Sequence, residues 1–246
     1  MALLAVLAGA SAGSLHAQAA PQPTVGVDVS VSQVLVDAEG ATTPVSYTPT
    51  RFRLERVHDA SGWRTVLTYP ATPGHLADKA STHPLDGARI EYADGAPGPR
   101  VYDKAGRLDT RLSPEAPGTG LPPFDGAARW IEALRSDPDG RRARLEMLAR
   151  TYGPPRDRVR NLERYVSNSG DIVDEVLADP ETGVVREISR IRGGRLEQRT
   201  AFEYEPLPGG ALFRHTIRSE TPLDGQQRGR SIVTVRLSNL TIGGGR

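Results

Sequence analysis

The sequence predicts an α+β protein that is mostly antiparallel β, with a curved sheet or half-barrel meander covered on one face by two or three amphipathic helices. Three observations lead to this prediction. Apolar and polar residues alternate through five consecutive segments within residues 172–242, which is the pattern of half-buried strands. Short turn sequences separate these segments, and short connections make neighbouring strands antiparallel. A middle region with helical spacing separates them from earlier strands, and this order is typical of α+β proteins.

Residues 1–19 are predicted to be a secretory signal peptide. The apolar run at residues 3–12 is too short to span a bilayer, and Ala17-Gln18-Ala19 matches an A-x-A cleavage pattern. No later segment is apolar enough to cross a membrane, so we expect a soluble protein that is periplasmic or secreted. The chain has no cysteine and a formal net charge of +1. It therefore has no disulfide framework, and its charge gives no strong attraction to nucleic acid.

Residues 20–112 form a predicted N-terminal β region, which either belongs to the same sheet as the later strands or forms a domain of its own. Alternating valines from Val25 to Val31 begin a first strand that continues towards Val36. Residues 51–57 and 63–69 flank a turn and predict a hairpin. Two further short strands are expected at 88–92 and 100–103, with a loop at 70–84 and a turn at 104–106 that leads into 107–112.

Residues 113–246 are predicted to contain helices followed by the C-terminal antiparallel meander. A Pro/Gly linker at 113–123 comes first, and three stretches then carry apolar residues at helical spacing. The inward residues of the three predicted helices are Ala127, Trp130, Ile131 and Leu134; Leu145, Leu148, Ala149 and Tyr152; and Val159, Leu162 and Val166, the last set within a helix at 156–166.

Strict alternation assigns faces within the meander. Phe202 and Tyr204 fall on one face of a strand. In the next strand Phe213 and Ile217 share a face, with His215 between them. Turn residues at 179–183, 193–194, 208–210 and 224–225 supply the fixed or positive φ angles at which strands reverse.

No motif predicts catalysis, a cofactor or a metal site. The G-x-S-x-G match at residues 9–13 lies in the predicted signal peptide and lacks a preceding strand. His75 and His83 share a loop but lack a third ligand at recognisable spacing. The carboxylates Asp171, Asp174 and Glu175 could form an acid–base pair, but they are read as ordinary strand-edge charges. We therefore predict that the protein is not an enzyme.

The apolar stripes of the helices and the apolar face of the sheet have two readings. They are each other's core, or they meet imperfectly and leave a hydrophobic slot of the kind that binds small molecules. Apolar facing alone makes Trp130, Ile131, Phe202 and Phe213 the candidate ligand-binding residues.

The last half of the chain resembles the lipoprotein-carrier superfamily (LolA/LolB-like), which also includes sigma-factor regulatory sensors. The resemblance rests on the final-strand sequence SIVTVRL at 231–237 and on the D-x-x-T-G turn at 179–183, in an exported chain with strands, amphipathic helices and then a meander. It implies a half-open barrel that packs apolar residues against helices and accepts acyl chains. The motifs are generic, so no site residue is carried over from the family.

Our leading hypothesis is an exported, soluble, non-enzymatic binding protein of the bacterial envelope that holds a lipid or acyl group between helices and sheet. Its partner would be a lipid or an acylated protein. The alternative is a protein–protein interaction or structural module of the envelope without a small ligand, docking an envelope protein through edge strands or the Arg-rich helix face. The first hypothesis predicts a cavity, and the second predicts a packed core with an exposed patch.

Overall fold

The computed structural model describes residues 24–45, 50–59, 62–71, 85–96, 98–111, 134–135, 138–208, 211–223 and 229–243. These residues contain fourteen strands and one helix, and the strands named below pair antiparallel within the described ranges. The elements are β1 (Thr24–Asp37), β2 (Thr42–Pro44), β3 (Thr50–Asp59), β4 (Gly62–Thr68), β5 (Arg89–Ala93), β6 (Arg100–Tyr102), β7 (Leu134–Arg135), α1 (Pro138–Tyr152), β8 (Asp157–Val159), β9 (Leu162–Ser169), β10 (Ile172–Ala178), β11 (Val185–Arg192), β12 (Arg195–Pro206), β13 (Ala211–Leu223) and β14 (Gly229–Gly243).

The chain divides into two compact units, and the long strands β1 and β14 contribute residues to each. The first unit comprises Met1–Val27, Phe52–Ile131 and Asn239–Arg246, and the second comprises Asp28–Arg51 and Glu132–Ser238. Strands of the first unit are ordered β6-β5-β4-β3, and the meander of the second is ordered β14-β13-β12-β11-β10-β9-β8.

The first unit confirms most of the N-terminal strands expected from the sequence. The predicted hairpin is formed by β3 and β4, and β5 and β6 follow it in order. Alternation along these strands buries Leu54, Leu67, Ile90 and Val101. After the turn at 104–106, Leu108 forms a single antiparallel bridge with Tyr102. The predicted first strand is also confirmed, as β1.

The second unit confirms the five-strand meander as β10 to β14. The β11–β12 connection uses Gly193 and Gly194, both at positive φ (54° and 79°), as a two-residue hairpin turn requires. The β10–β11 turn needs glycine for a second reason. Gly183 has φ of 70°, and a Cβ placed there would lie 2.8 Å from the carbonyl oxygen of Arg141 in α1. The turn and the helix therefore approach too closely for any side chain.

The helix predicted at 156–166 is wrong, because these residues form the antiparallel pair β8 and β9. Arg160 and Asn161 connect the two strands at φ of 52° and 66°, and Val159 is paired with Leu162 across the turn. Two positive φ values make a tight hairpin turn, which ends any helix. The apolar spacing of Val159, Leu162 and Val166 matches a helix only by coincidence.

Of the other two predicted helices, the structure confirms one. Residues 138–152 form α1, with Pro138 at the first position, where its missing N–H costs nothing. The helix expected around Trp130 lies at 127–133, outside the described residues, while its last residue Leu134 is in strand β7 and pairs with Leu212. The described part of the chain thus has one helix where two or three were expected to cover the sheet.

Helix α1 packs on one face of β9, β10 and β11. Leu148 forms a buried cluster with Tyr165, Val176 and Ala178, and Tyr152, Val185 and Ile188 pack against this cluster. Tyr165, Val176 and Ile188 are cross-strand partners in register, so they lie side by side on this face. We call it the α1 face. The guanidinium of Arg141 donates to the carbonyl of Pro180 at 2.8 Å and ties α1 to the β10–β11 turn.

The hydroxyl of Tyr165 is the polar group of this cluster. The residue is 2% exposed, and its hydroxyl donates to the carboxylate of Glu163 at 2.8 Å. Burial and the adjacent Glu163 disfavour the charged phenolate and raise the pKa of Tyr165 to about 12. The folded protein therefore keeps this proton at pH values where an unfolded chain has released it.

We expect Leu148→Ala to lower the free energy of unfolding by about 2–5 kcal/mol, because it removes a side chain that is 3% exposed and leaves a cavity. Met147→Ala is the matched control, since Met147 is 53% exposed on the same helix and should cost less than about 0.5 kcal/mol. Urea unfolding curves measure both changes. Equal losses for the two variants would contradict the packing of α1 on the sheet.

The raised pKa of Tyr165 predicts a loss of stability in alkali. Below about pH 10 the tyrosine is protonated in both states, and between about pH 10 and 12 only the unfolded chain loses the proton, so stability falls as pH rises. Tyr165→Phe removes this contribution, so its free energy of unfolding should fall less steeply above pH 10, by up to about 1.4 kcal/mol per pH unit. Urea titrations at several alkaline pH values measure the slopes, and parallel slopes would show that Tyr165 titrates normally.

Candidate functional site

The α1 face continues beyond α1 onto strands β12 to β14. The row of Tyr165, Val176 and Ile188 continues across β12, β13 and β14 through residues that are cross-strand partners in register, beginning with the partner of Ile188. A second row of cross-strand partners lies two residues further along these strands. Side chains of cross-strand partners point to the same side of a sheet. The added residues, which we call the β12–β14 patch, are Thr200, Ser219 and Val233 in the first row and Phe202, Ile217 and Val235 in the second.

The β12–β14 patch is largely apolar and only partly covered. The cluster that α1 forms involves residues of β9, β10 and β11, whereas Ile217, Val233 and Val235 are half-buried and Phe202 is 8% exposed. The hydroxyls of Thr200 and Ser219 lie 3.0 Å apart, so one of them donates a hydrogen bond to the other. The patch therefore offers mainly apolar surface, with two hydroxyls that share one hydrogen bond.

A β-bulge in β13 changes which side chains join this patch. Phe202 is opposite Ile217, Glu203 is opposite Thr216, and Tyr204 is opposite Arg214, so His215 is an extra residue. Arg214 consequently lies on the α1 face beside Tyr204. The expectation that Phe213 shares a face with Ile217 is wrong, because the bulge reverses the alternation and Phe213 is opposite Glu205 on the other face.

Two arginines and two aromatic rings meet at the end of the patch. The guanidinium carbon of Arg214 lies 4.8 Å from the ring centroid of Phe202 and 5.6 Å from that of Tyr204. The guanidinium carbon of Arg186 lies 5.2 Å from the Tyr204 ring. These distances are typical of cation–π contacts. The Tyr204 hydroxyl donates to the carbonyl of Val185 at 3.0 Å, which fixes the position of its ring.

Of the two arginines, Arg186 has a carboxylate counter-ion and Arg214 has none among the described residues. Arg186 is paired with Asp179 at 3.3 Å. Although burial acts to raise the pKa of Asp179, hydrogen bonds from the Glu181 backbone, Thr182 and Arg186 lower it overall, so this carboxylate is ionised. The guanidinium of Arg214 has neither an ion pair nor a hydrogen bond to any residue that the structure describes, and its Nε is buried without an acceptor. A buried donor without an acceptor costs about 1–3 kcal/mol.

Of the four candidate residues named from the sequence, the structure places two on opposite faces of the sheet and does not describe the other two. Phe202 lies in the β12–β14 patch, whereas Phe213 is opposite Glu205 on the other face and is 1% exposed. Trp130 and Ile131 are outside the described residues, and their contribution to a binding site stays a prediction. Sequence reasoning missed Arg214, because strict alternation assigns it to the charged face and the bulge has no signal in the sequence.

The carboxylates considered for acid–base chemistry are held in ion pairs. Asp174 accepts two hydrogen bonds from Arg190, at 2.8 and 3.1 Å, and this contact raises the pKa of Arg190. Asp171 pairs with Arg192 at 3.3 Å, and Glu175 pairs with Arg164 at 3.5 Å. These pairs fit the reading of the carboxylates as strand charges.

Neither a metal site nor a membrane helix is present in the described parts of the chain. No three His, Asp or Glu side chains among these residues are grouped as metal ligands. His75 and His83 lie outside the described residues, and the Nδ1 atom of His215 is 3.0 Å from the hydroxyl of Thr216. Among the described helical residues, none belongs to a helix with the length and apolar character needed to cross a bilayer.

Comparisons with known proteins return structural neighbours only: no family model matches the chain, and no curated protein matches it. A LolA superfamily protein from Nitrosomonas europaea is similar over 92% of this chain and 89% of that chain, at 10% identity and a TM-score of 0.39. The MucA/MucB complex of Pseudomonas aeruginosa is similar over 89% of this chain and 94% of that chain, at 10% identity and a TM-score of 0.17. An acetoacetate decarboxylase from Legionella pneumophila is similar over 92% of this chain and 88% of that chain, at 10% identity and a TM-score of 0.14. The first of these neighbours belongs to the superfamily that the sequence resembles. At these TM-scores the likenesses carry no argument.

Proposed function

We propose that this protein is a non-enzymatic binding protein that holds an acyl chain on the β12–β14 patch. The observation that carries the proposal is the row of Phe202, Ile217 and Val235, which extends the apolar α1 face beyond the cluster formed by α1. Ile217 and Val235 are only half-buried in this row. An acyl chain lying across them would remove this apolar surface from water.

The physical gain comes from burying methylene groups. Neighbouring strands lie about 4.8 Å apart, so three strands offer an apolar width of about 10 Å. Each methylene that leaves water contributes about 0.8 kcal/mol. The hydroxyls of Thr200 and Ser219 share one hydrogen bond, which lowers the cost of removing them from water.

The proposal includes a location that is drawn from the sequence. The predicted signal peptide at 1–19 supports export to the bacterial envelope, where lipids and acylated proteins are available as ligands. Trp130 and Ile131 stay candidate ligand-binding residues from the sequence alone. Phe213 is no longer part of the proposed site, since the bulge turns it to the other face.

We expect Ile217→Gln to weaken binding of a fluorescent fatty acid by at least about tenfold. The substitution places a polar amide in the middle of the apolar row, and losing the burial of one such side chain costs about 1.5–3 kcal/mol. Fluorescence titration of the purified full chain measures the dissociation constant, and a thermal melt checks that the variant is folded.

Arg218→Gln is the matched control, because Arg218 is the next residue of β13, is exposed, and points to the opposite face. It introduces the same side chain and should change the affinity by less than about twofold, as expected for a surface substitution. Equal weakening by both variants, or no binding by the folded wild-type protein, would overturn the proposed function. The interaction module without a small ligand would then be the better account.

A further inference from the structure

We propose that the ligand of the β12–β14 patch is an anionic amphiphile whose oxyanion pairs with Arg214. This inference rests on the proposed function and deepens it by naming the chemistry of the head group. The shared chemistry is an acyl or alkyl chain that ends in a carboxylate or a phosphate.

The position of Arg214 suits a head group. Tyr204 and its partner Arg214 follow Phe202 and Ile217 on the same face, two residues further along β12. Two residues of a strand span about 7 Å, so the cation lies beside the apolar row, one step along the strands, and not within it. A ligand with an apolar tail on Ile217 and Val235 would bring its polar end to this arginine.

The charge of Arg214 is the second argument. Two other arginines near the patch have carboxylate partners, since Arg186 pairs with Asp179 at 3.3 Å and Arg190 pairs with Asp174 at 2.8 Å. Arg214 has no such partner within the described ranges, although it is half-buried and its Nε is shielded from water. A ligand oxyanion would supply the missing acceptor, whereas a neutral head group would leave the guanidinium without a counter-ion.

Contacts with two aromatic rings fix the position of the Arg214 guanidinium group before an anion binds. The rings of Phe202 and Tyr204 lie within 4.8 and 5.6 Å of its guanidinium carbon, and the hydrogen bond to Val185 fixes Tyr204. A side chain already fixed loses less conformational freedom on binding. The planar guanidinium can form two parallel hydrogen bonds with either a carboxylate or a phosphate, so both head groups are compatible with the site.

The test compares amphiphiles that differ only in their head group. Hexadecanol, hexadecanoate and monohexadecyl phosphate compete with the fluorescent fatty acid for the wild-type protein, Arg214→Gln and the control Arg218→Gln. We expect the anions to bind the wild-type protein about tenfold to a hundredfold more tightly than hexadecanol, as charge-assisted hydrogen bonds imply. Arg214→Gln should abolish this preference and Arg218→Gln should keep it. The tighter of the two anions identifies the head group as carboxylate or phosphate.

Failure of this inference is distinguishable from failure of the proposed function. If hexadecanol binds the wild-type protein as tightly as the anions, or if folded Arg214→Gln keeps the preference, Arg214 does not bind a head group, while acyl binding stands. If the fluorescent fatty acid and all three amphiphiles fail to bind folded wild-type protein, both proposals are overturned. The comparison on the wild-type protein alone decides the inference even where Arg214→Gln does not fold.

Discussion

The hydrogen-bonded register between β12 and β13 is the constraint on which the proposed site depends. Strict alternation from Ile217 would place His215 and Phe213 on the α1 face and would direct Arg214 to the other side. The extra residue His215 reverses this assignment, so Arg214 faces the rings of Phe202 and Tyr204. One inserted residue therefore places a positive charge beside the apolar row, one step along the strands. Bulges commonly redirect a side chain in this way beside functional sites.

Arg214 differs from several arginines of the second unit in its electrostatic surroundings. Carboxylates and guanidinium groups on neighbouring strands are paired across the ladders, as Asp174 is with Arg190 and Glu187 is with Arg199. Partly exposed pairs of this kind contribute little to stability, about 0–1 kcal/mol each, but they leave these arginines less free to bind a ligand. Arg214 differs because its guanidinium contacts aromatic rings and has no carboxylate partner among the described residues, whereas Arg190 and Arg199 each have one. The apolar row and the cation together favour an amphiphile over a purely polar or a purely apolar ligand.

Much of the fold follows from the sequence, and the exceptions have physical reasons. Strands β10 to β14 are predictable because alternation and turn residues such as Gly193 and Gly194 agree with each other. The pair β8 and β9 is not, because apolar residues coincide with helical spacing and only the positive φ of Arg160 and Asn161 reveals the hairpin. Of the site, Phe202 is predictable from apolar facing. Arg214 is not, because a bulge depends on how two strands align and leaves no mark in the pattern of either strand alone.

Native mass spectrometry of the full chain purified from an exporting host, followed by organic extraction, tests the central claim most directly. The account predicts a bound molecule of defined mass that carries an acyl chain and an acidic head group and that is lost from the Ile217→Gln variant. Protein that is free of ligand, and that also fails to take up added fatty acids or phospholipids, would contradict acyl binding on the β12–β14 patch.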